Sequence, residues 1–214
     1  SRKTDQTSPH GKQKFQEKDF AVLLRNKHMI PEICDYLDLF DIPYYTDSKD
    51  ISYSDLEVSE FISILKAIDN DKKDLVILSA LVSVLGRMNE TEIAIIRDSE
   101  DDKSFYNSFY SYELKEHPDD KILAKIQAYK SKLEKYRNIE KTMSLYDFCW
   151  YVLIDSGFMT YLLSNFNGKQ KLDNVIAFIE EIKDYEQASQ PGLFNFLNHV
   201  DRLMQKSSGD LEPG

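Results

Sequence analysis

The chain is 214 residues long, 42% hydrophobic and 30% charged, with 12% aromatic residues, a profile that excludes a disordered segment or a peptide-sized module and predicts a folded domain with one good core. Its formal net charge of −10 argues against a protein that grips nucleic acid over its whole surface, because phosphate binding depends on clustered Lys and Arg. No apolar run is long enough to span a bilayer and the N-terminal region has no secretory pattern, so neither a membrane-spanning nor an exported chain is expected.

Residues 1–18 are polar, with Pro9 and Gly11 and almost nothing apolar before Phe15, and read as a surface lead-in. Asp19-Phe20-Ala21-Val22-Leu23-Leu24-Arg25 is a short apolar run, the pattern of a strand buried on both faces of a parallel sheet. A helix follows with Ile30, Ile33, Cys34, Leu37 and Phe40 on one side, and Asp41-Ile42-Pro43-Tyr44-Tyr45 returns to an extended path. Residues 19–50 thus read as a β-α-β half-unit.

From residue 53 the pattern is helical throughout, as seven glycines and six prolines in the whole chain allow. Ser54 is a candidate N-cap for a helix carrying Val58, Phe61, Ile62, Leu65 and Ile68, and Leu75, Leu78, Val82 and Leu85 form the next apolar stripe. Asn89 with Glu92 three residues on predicts a capping box ahead of Ile93 and Ile96. The aromatic cluster Phe105, Tyr106, Phe109, Tyr110 and Tyr112 reads as core; base stacking is the competing reading.

His117-Pro118 should end that segment before a long helix from Asp119 with Ile122, Ile126, Tyr129, Leu133 and Tyr136 on its inner face. Ser144 caps a helix buried through Leu145, Phe148, Cys149 and Val152, and Gly157 stands where a left-handed residue is wanted. After Asn167-Gly168, the residues Leu172, Val175, Ile176, Ile179 and Ile182 mark another helix. Pro191 opens the last one, which buries Leu193, Phe196, Leu197, Val200, Leu203 and Met204. Seven or eight helices are expected over residues 51–211, with a tail at 212–214.

The search for chemistry finds no Gly-rich Lys-Ser/Thr phosphate loop, no GxGxxG, no HExxH and no GxSxG. His10, His28, His117 and His199 are scattered, and Cys34 and Cys149 lie far apart outside any CxxC pair. No metal site or catalytic residue is therefore assigned, and the cysteine usage fits a cytoplasmic protein.

One local basic feature stands out. Residues 121–141 hold seven Lys or Arg residues against Glu134 and Glu140, and Lys121, Lys125, Lys132 and Lys135 share a helix face. Either they track phosphates or they are the solvated side of an amphipathic helix. A second candidate is Lys169-Gln170-Lys171, at a helix N-terminus whose backbone N–H groups suit an anion.

The order of segments also carries a resemblance. Asp-Phe-Ala-Val-Leu-Leu-Arg, a helix, then Asp-Ile-Pro-Tyr-Tyr-Thr-Asp resembles the stretch of UvrD/Rep-like superfamily 1 helicases where the second motor domain leads into the inserted 2B subdomain. Ile64–Asn70, Asp74-Leu75, Asn89–Arg97, Ser144-Leu145-x-Asp147-x-x-Trp150, Gly157, Gly168-x-Gln170-Lys171-x-x-Asn174, Tyr185-Glu186 and Gly192-Leu193-Phe194-x-Phe196-Leu197 are similar, in order and spacing, to the AddA/RexA-type ATP-dependent helicase/nuclease family. The similarity runs over residues 19–211. It departs at Val82-Ser83-Val84, where that family commonly has Arg-Ser-Pro, and at Lys171, where an Arg is usual. Lys171 keeps the charge and loses the bidentate fork.

The resemblance implies a mainly α fold, a multi-helix 2B-type subdomain with a short β-α-β remnant of an α/β motor domain at its N-terminus. It implies a parent that uses ATP and Mg to translocate 3′ to 5′ on single-stranded DNA, unwinds duplex at double-strand breaks, and degrades DNA in a separate nuclease domain. A B subunit and sequence-nonspecific DNA would be its partners. The catalytic parts would lie outside these residues, and the ends, Ser1 and Ser-Ser-Gly-Asp before the terminal Gly214, read as boundaries within a longer polypeptide. The same subdomain of another UvrD-like repair helicase and an all-helical interaction module are the alternatives.

Overall fold

A computed structural model of the chain describes residues 19–25, 29–40, 42, 44, 53, 55–98, 104–188 and 192–209. The chain divides into two compact units, Ser1–Lys49 and Asp50–Gly214. Among the described residues every regular element is a helix.

In the first unit the expected strand does not form. Residues 20–24 have no regular structure, and Phe20, Val22 and Leu23 are exposed. A strand buried on both faces needs neighbours for its backbone groups and both side-chain rows, and none of the described residues supplies one. The helix α1 does form, over Ile30–Leu39. Ile42 and Tyr44 are likewise not in a strand; Asp41, Pro43 and Tyr45 lie outside the described residues, as do the lead-in at 1–18 and the tail at 212–214. The β-α-β expectation thus reduces, among the described residues, to its helix.

The second unit has nine helices among its described residues: α2 (Leu56–Asp69), α3 (Asp74–Val82), α4 (Glu90–Arg97), α5 (Phe105–Ser111), α6 (Asp120–Glu140), α7 (Leu145–Asp155), α8 (Phe158–Leu163), α9 (Gly168–Ala188) and α10 (Leu193–Gly209), with a 3-10 turn at Tyr112–Leu114. The central element is α2, which packs against α3, α6, α9 and α10. Val58, Phe61, Ile62, Ile64, Leu65, Ala67 and Ile68 bury most of its circumference, as expected for a helix apolar nearly all round. Helix α9 lies along it and also carries α7 and α8. Phe178 of α9 meets Phe61 edge-on at 6.3 Å, and Phe158 of α8 stacks on Phe61 at 5.7 Å.

Where capping chemistry is local, the elements begin where the sequence places them. Asn89 accepts from the Glu92 backbone N–H while the Glu92 carboxylate accepts from Asn89, both at 2.9 Å. Asp119 and Ser144 cap α6 and α7, and Gly157 has φ of 82°. Ile122, Ile126, Tyr129, Leu133 and Tyr136 are all buried, along a helix of 21 residues that is roughly 30 Å long. Phe105, Phe109 and Tyr112 are core, so the aromatic cluster packs inward. Cys149 is buried, and burial pushes its thiol pKa far above the ordinary value, with Glu186 adding to the rise.

Three expectations are corrected. The N-cap of α2 is Asp55; Ser54 lies outside the described residues. Helix α3 buries Ile77, Ala80 and Leu81, whereas Leu75 and Val82 of the expected stripe are exposed. Its sequence DLVILSALV is apolar on every side, so spacing alone does not select the inner face. The short α8 was not foreseen, because its six residues contain too little periodicity. Pro191 lies outside the described residues, while Leu193, Phe196, Leu197 and Val200 are buried as expected.

Several helix ends are closed by side chains from other helices. Glu186 of α9 accepts from the backbone N–H groups of Leu145 (2.7 Å) and Tyr146 (3.3 Å) at the start of α7. Asp74 of α3 accepts from Phe105 and Tyr106 at the start of α5 and from the Ser104 hydroxyl. Arg137 of α6 donates to the carbonyls of Ile68 (2.7 Å) and Ala67 (3.2 Å) at the end of α2, and its guanidinium is 2.9 Å from the buried Asp71 carboxylate. These contacts satisfy the donors and acceptors that a helix leaves unpaired at its ends.

Candidate nucleic-acid interface

The lysine row on α6 follows from helical spacing: steps of three and four residues align side chains on one face. The structure gives most of that row neighbours of its own. Lys125 Nζ is 2.7 Å from the Glu92 carboxylate and 2.8 Å from the Arg87 carbonyl. Lys132 Nζ donates to the carbonyls of Leu85 at 3.2 Å and Val84 at 3.5 Å, and burial lowers its pKa, with Arg87 contributing and Asp155 opposing. Lys135 Nζ is 2.8 Å from Asp155 and lies over the Tyr151 ring at 5.4 Å; its hydrogen bond to Asp155 raises its pKa. Outside that row, Lys130 pairs with Glu113 at 2.9 Å.

The partner carboxylates show the reciprocal effect. The Lys125 hydrogen bond holds Glu92 below its ordinary pKa. Burial pushes Asp155 upward, but its hydrogen bonds from Lys135, Tyr136 and Tyr151, with the charge of Lys135, together outweigh it. Lys121, in the first turn of α6, and Lys141, just after its end, are exposed, and among the described residues neither side chain has a hydrogen-bond or ion-pair partner.

The second candidate group sits where the sequence places it, in the first turn of α9. Lys169 is exposed and Lys171 half-buried. Gln170 donates to Asn174 at 2.9 Å, and Asn174 donates to Glu57 at 2.7 Å. The start of α9 therefore faces carboxylates from the start of α2. Lys171 also acts on Glu60, whose pKa is raised by burial and by Glu57 and lowered by Lys171. The two lysine groups lie on different helices, and the basic character of each is offset by neighbouring acids.

Sequence reasoning passed over Asp71, Asp74, Arg137 and Glu186 as structural centres. Each is a charged residue in a charged chain, and its partner lies tens of residues away. One usable signal was Asp71 in the connection Asn70–Lys73, a short linker between two apolar helices.

Comparison with known proteins agrees with this architecture. The model for the UvrD-like helicase C-terminal domain matches residues 3–211, and the chain belongs to that family. Among curated proteins, it is 30% identical over 192 residues to the A-type subunit of the ATP-dependent helicase/nuclease of Bacillus pumilus (strain SAFR-032), covering 90% of this chain and 16% of that protein. The protein of the same description from Clostridium beijerinckii is 30% identical over 201 residues, with 91% and 16% covered. That from Alkaliphilus oremlandii is 28% identical over 204 residues, with 94% and 17% covered. The chain thus spans about one sixth of the length of these relatives and is similar to the helicase C-terminal part of an AddA-type protein.

Proposed function

We propose that the helical unit is the accessory 2B-type subdomain of an ATP-dependent DNA helicase and exonuclease that processes double-strand breaks for recombinational repair. The observation that carries this reading is the coincidence of one continuous helical core, α2–α10, with the match over residues 3–211 to the helicase C-terminal domain. In this reading ATP and Mg are handled by other parts of the parent polypeptide, which works with a B subunit. The subdomain swivels as a unit and offers a surface to the duplex ahead of the motor.

Phosphate contact falls to Lys121 on α6 and Lys169 on α9, with Lys171 two residues from Lys169 and Gln170 as a neutral donor. Lys125, Lys132 and Lys135 serve as ties between helices and contribute field more than direct contact. Binding of this kind is electrostatic and indifferent to sequence. For an acidic chain it falls in the weak range, with a Kd of roughly 10⁻⁴ to 10⁻⁵ M at physiological salt and tighter at low salt. A mobility-shift titration with forked and duplex DNA tests this. Lys121→Glu combined with Lys169→Glu is expected to weaken binding and reduce its salt dependence. No shift at low salt, or an unchanged one in the double variant, removes the DNA surface and favours the second reading, contact with a partner protein. The engagement of Lys125, Lys132 and Lys135 by neighbouring groups is what keeps that second reading in play.

A further inference from the structure

A groove of about 310 Å³ opens between α2, the end of α3 with the turn that follows it, and α8. Three of its four serine hydroxyls are committed as donors. The Ser63 hydroxyl donates to Ser59 O at 2.9 Å, Ser79 to Leu75 O at 2.8 Å and Ser83 to Ala80 O at 2.7 Å. With those protons spent on the protein's own carbonyls, these three hydroxyls have only lone pairs left to offer a ligand, and one Ser83 lone pair is already taken by the Leu85 backbone N–H at 3.2 Å. Beside them stands Glu60, half-buried and, among the described residues, without a hydrogen-bond or ion-pair partner. Glu57 and Lys171 are the charged groups that act on it. The rim is apolar: Val82 is 55% and Tyr161 42% exposed.

A half-buried carboxylate with no direct ion pair, repelled by Glu57 and met only at longer range by Lys171, is costly to keep charged, and a cation in contact would relieve it. We propose that this groove seats an arginine side chain presented by a partner protein, with Glu60 as counter-charge, the serine oxygens as acceptors and the Tyr161 ring as a stacking surface. Arginine fits better than lysine because its planar fork serves several separated acceptors at once and stacks on an aromatic face. Tyrosine and arginine are the residue types enriched among those that carry most of the energy of protein interfaces. Nucleic acid fits poorly, since a phosphodiester would bring negative charge to an unpaired carboxylate. The inference is independent of the DNA reading above.

The test is a nitrogen-15 amide titration of the 214-residue chain with N-acetyl-arginine amide, with N-acetyl-norleucine amide as the uncharged control and an oligothymidylate as the nucleic-acid control. The arginine compound is expected to shift amides around Ser59–Ser63, Ser79–Val84 and Phe158–Tyr161 saturably, and the controls are not. Glu60→Gln should weaken that response about tenfold, and Tyr161→Ala should weaken it several-fold. Independently, Glu60→Gln should raise the thermal midpoint, because it removes a half-buried negative charge that Glu57 repels and no direct ion pair offsets. No shift, equal shifts with the norleucine compound, a groove response to the oligonucleotide, an undiminished response in Glu60→Gln, or a lowered midpoint in that variant each overturns the proposal.

Discussion

Replacing Arg137 with leucine isolates the contact that ties α6 to α2. The substitution keeps most of the apolar stem and removes the donors to Ile68 O and Ala67 O and the counter-charge of Asp71. The Asp71 side chain is 4% exposed, so its carboxylate cannot turn to water. Stripping one partner from a buried pair costs about 3–5 kcal/mol. Two features reduce that figure here: the Arg137 side chain is 38% exposed, and Asp71 keeps the Tyr110 hydroxyl at 2.6 Å. A loss of about 2–3 kcal/mol is expected after that discount. With a urea m value of about 2 kcal/mol per molar, the midpoint should fall by roughly 1–1.5 M.

Lys66→Met is the matched control, because Lys66 and Asp201 form a 2.7 Å pair whose side chains are 30% and 45% exposed. Such an open pair contributes about 0–1 kcal/mol. Arg137→Lys should fall between the two, since an ammonium cannot reach both α2 carbonyls and Asp71 in the same geometry. Equal midpoint shifts for Arg137→Leu and Lys66→Met would refute the reasoning, because burial of Asp71 would then carry no energetic weight.

Two further predictions concern α5 and α8. The backbone N–H groups of Phe105 and Tyr106 hold the Asp74 carboxyl below its ordinary pKa of 3.8, helped by Ser104 and Arg97 and opposed by burial. A depressed native pKa means that this stabilisation is complete above that ordinary value and is lost as pH falls through the native one. Asp74→Asn should therefore cost about 1 kcal/mol at pH 7, and urea titrations of both proteins should converge as pH falls below the ordinary value and through the native one; a difference that stays constant as pH falls would contradict it. At Gly168, an added Cβ would stand 2.4 Å from Leu162 O and 2.8 Å from Leu163 Cα, both backbone atoms, so α8 and α9 must separate. Gly168→Ala should cost about 1–3 kcal/mol and lower the thermal midpoint by roughly 3–10 °C; an unchanged midpoint would mean that this junction is loosely packed.

Much of the candidate interface was legible as a list of residues and little of it as a surface. The spacing of Lys121, Lys125, Lys132 and Lys135 put them on one side of α6, but their charge is spent according to what α6 crosses. Glu92, the Val84 and Leu85 carbonyls, and Asp155 come from α4, the turn after α3 and α7. The groove around Glu60 was invisible for the same reason: its serines lie on two helices and its tyrosine on a third.

The sequence by itself determined the helical class, the aromatic core, and the ends of α4, α6 and α7, because a capping hydrogen bond or a 3.6-residue stripe is complete within a few residues of its own start. Only the tertiary structure decided which side of the uniformly apolar α3 turns inward, whether the run at 20–24 finds a sheet, and which lysines meet carboxylates. It also decided that Arg137 closes the end of α2 from 69 residues away, together with Asp71 at a separation of 66. A strand needs a neighbour, and a long charged side chain takes whichever partner the crossing of two helices brings within about 3 Å; neither condition is written in the local chain.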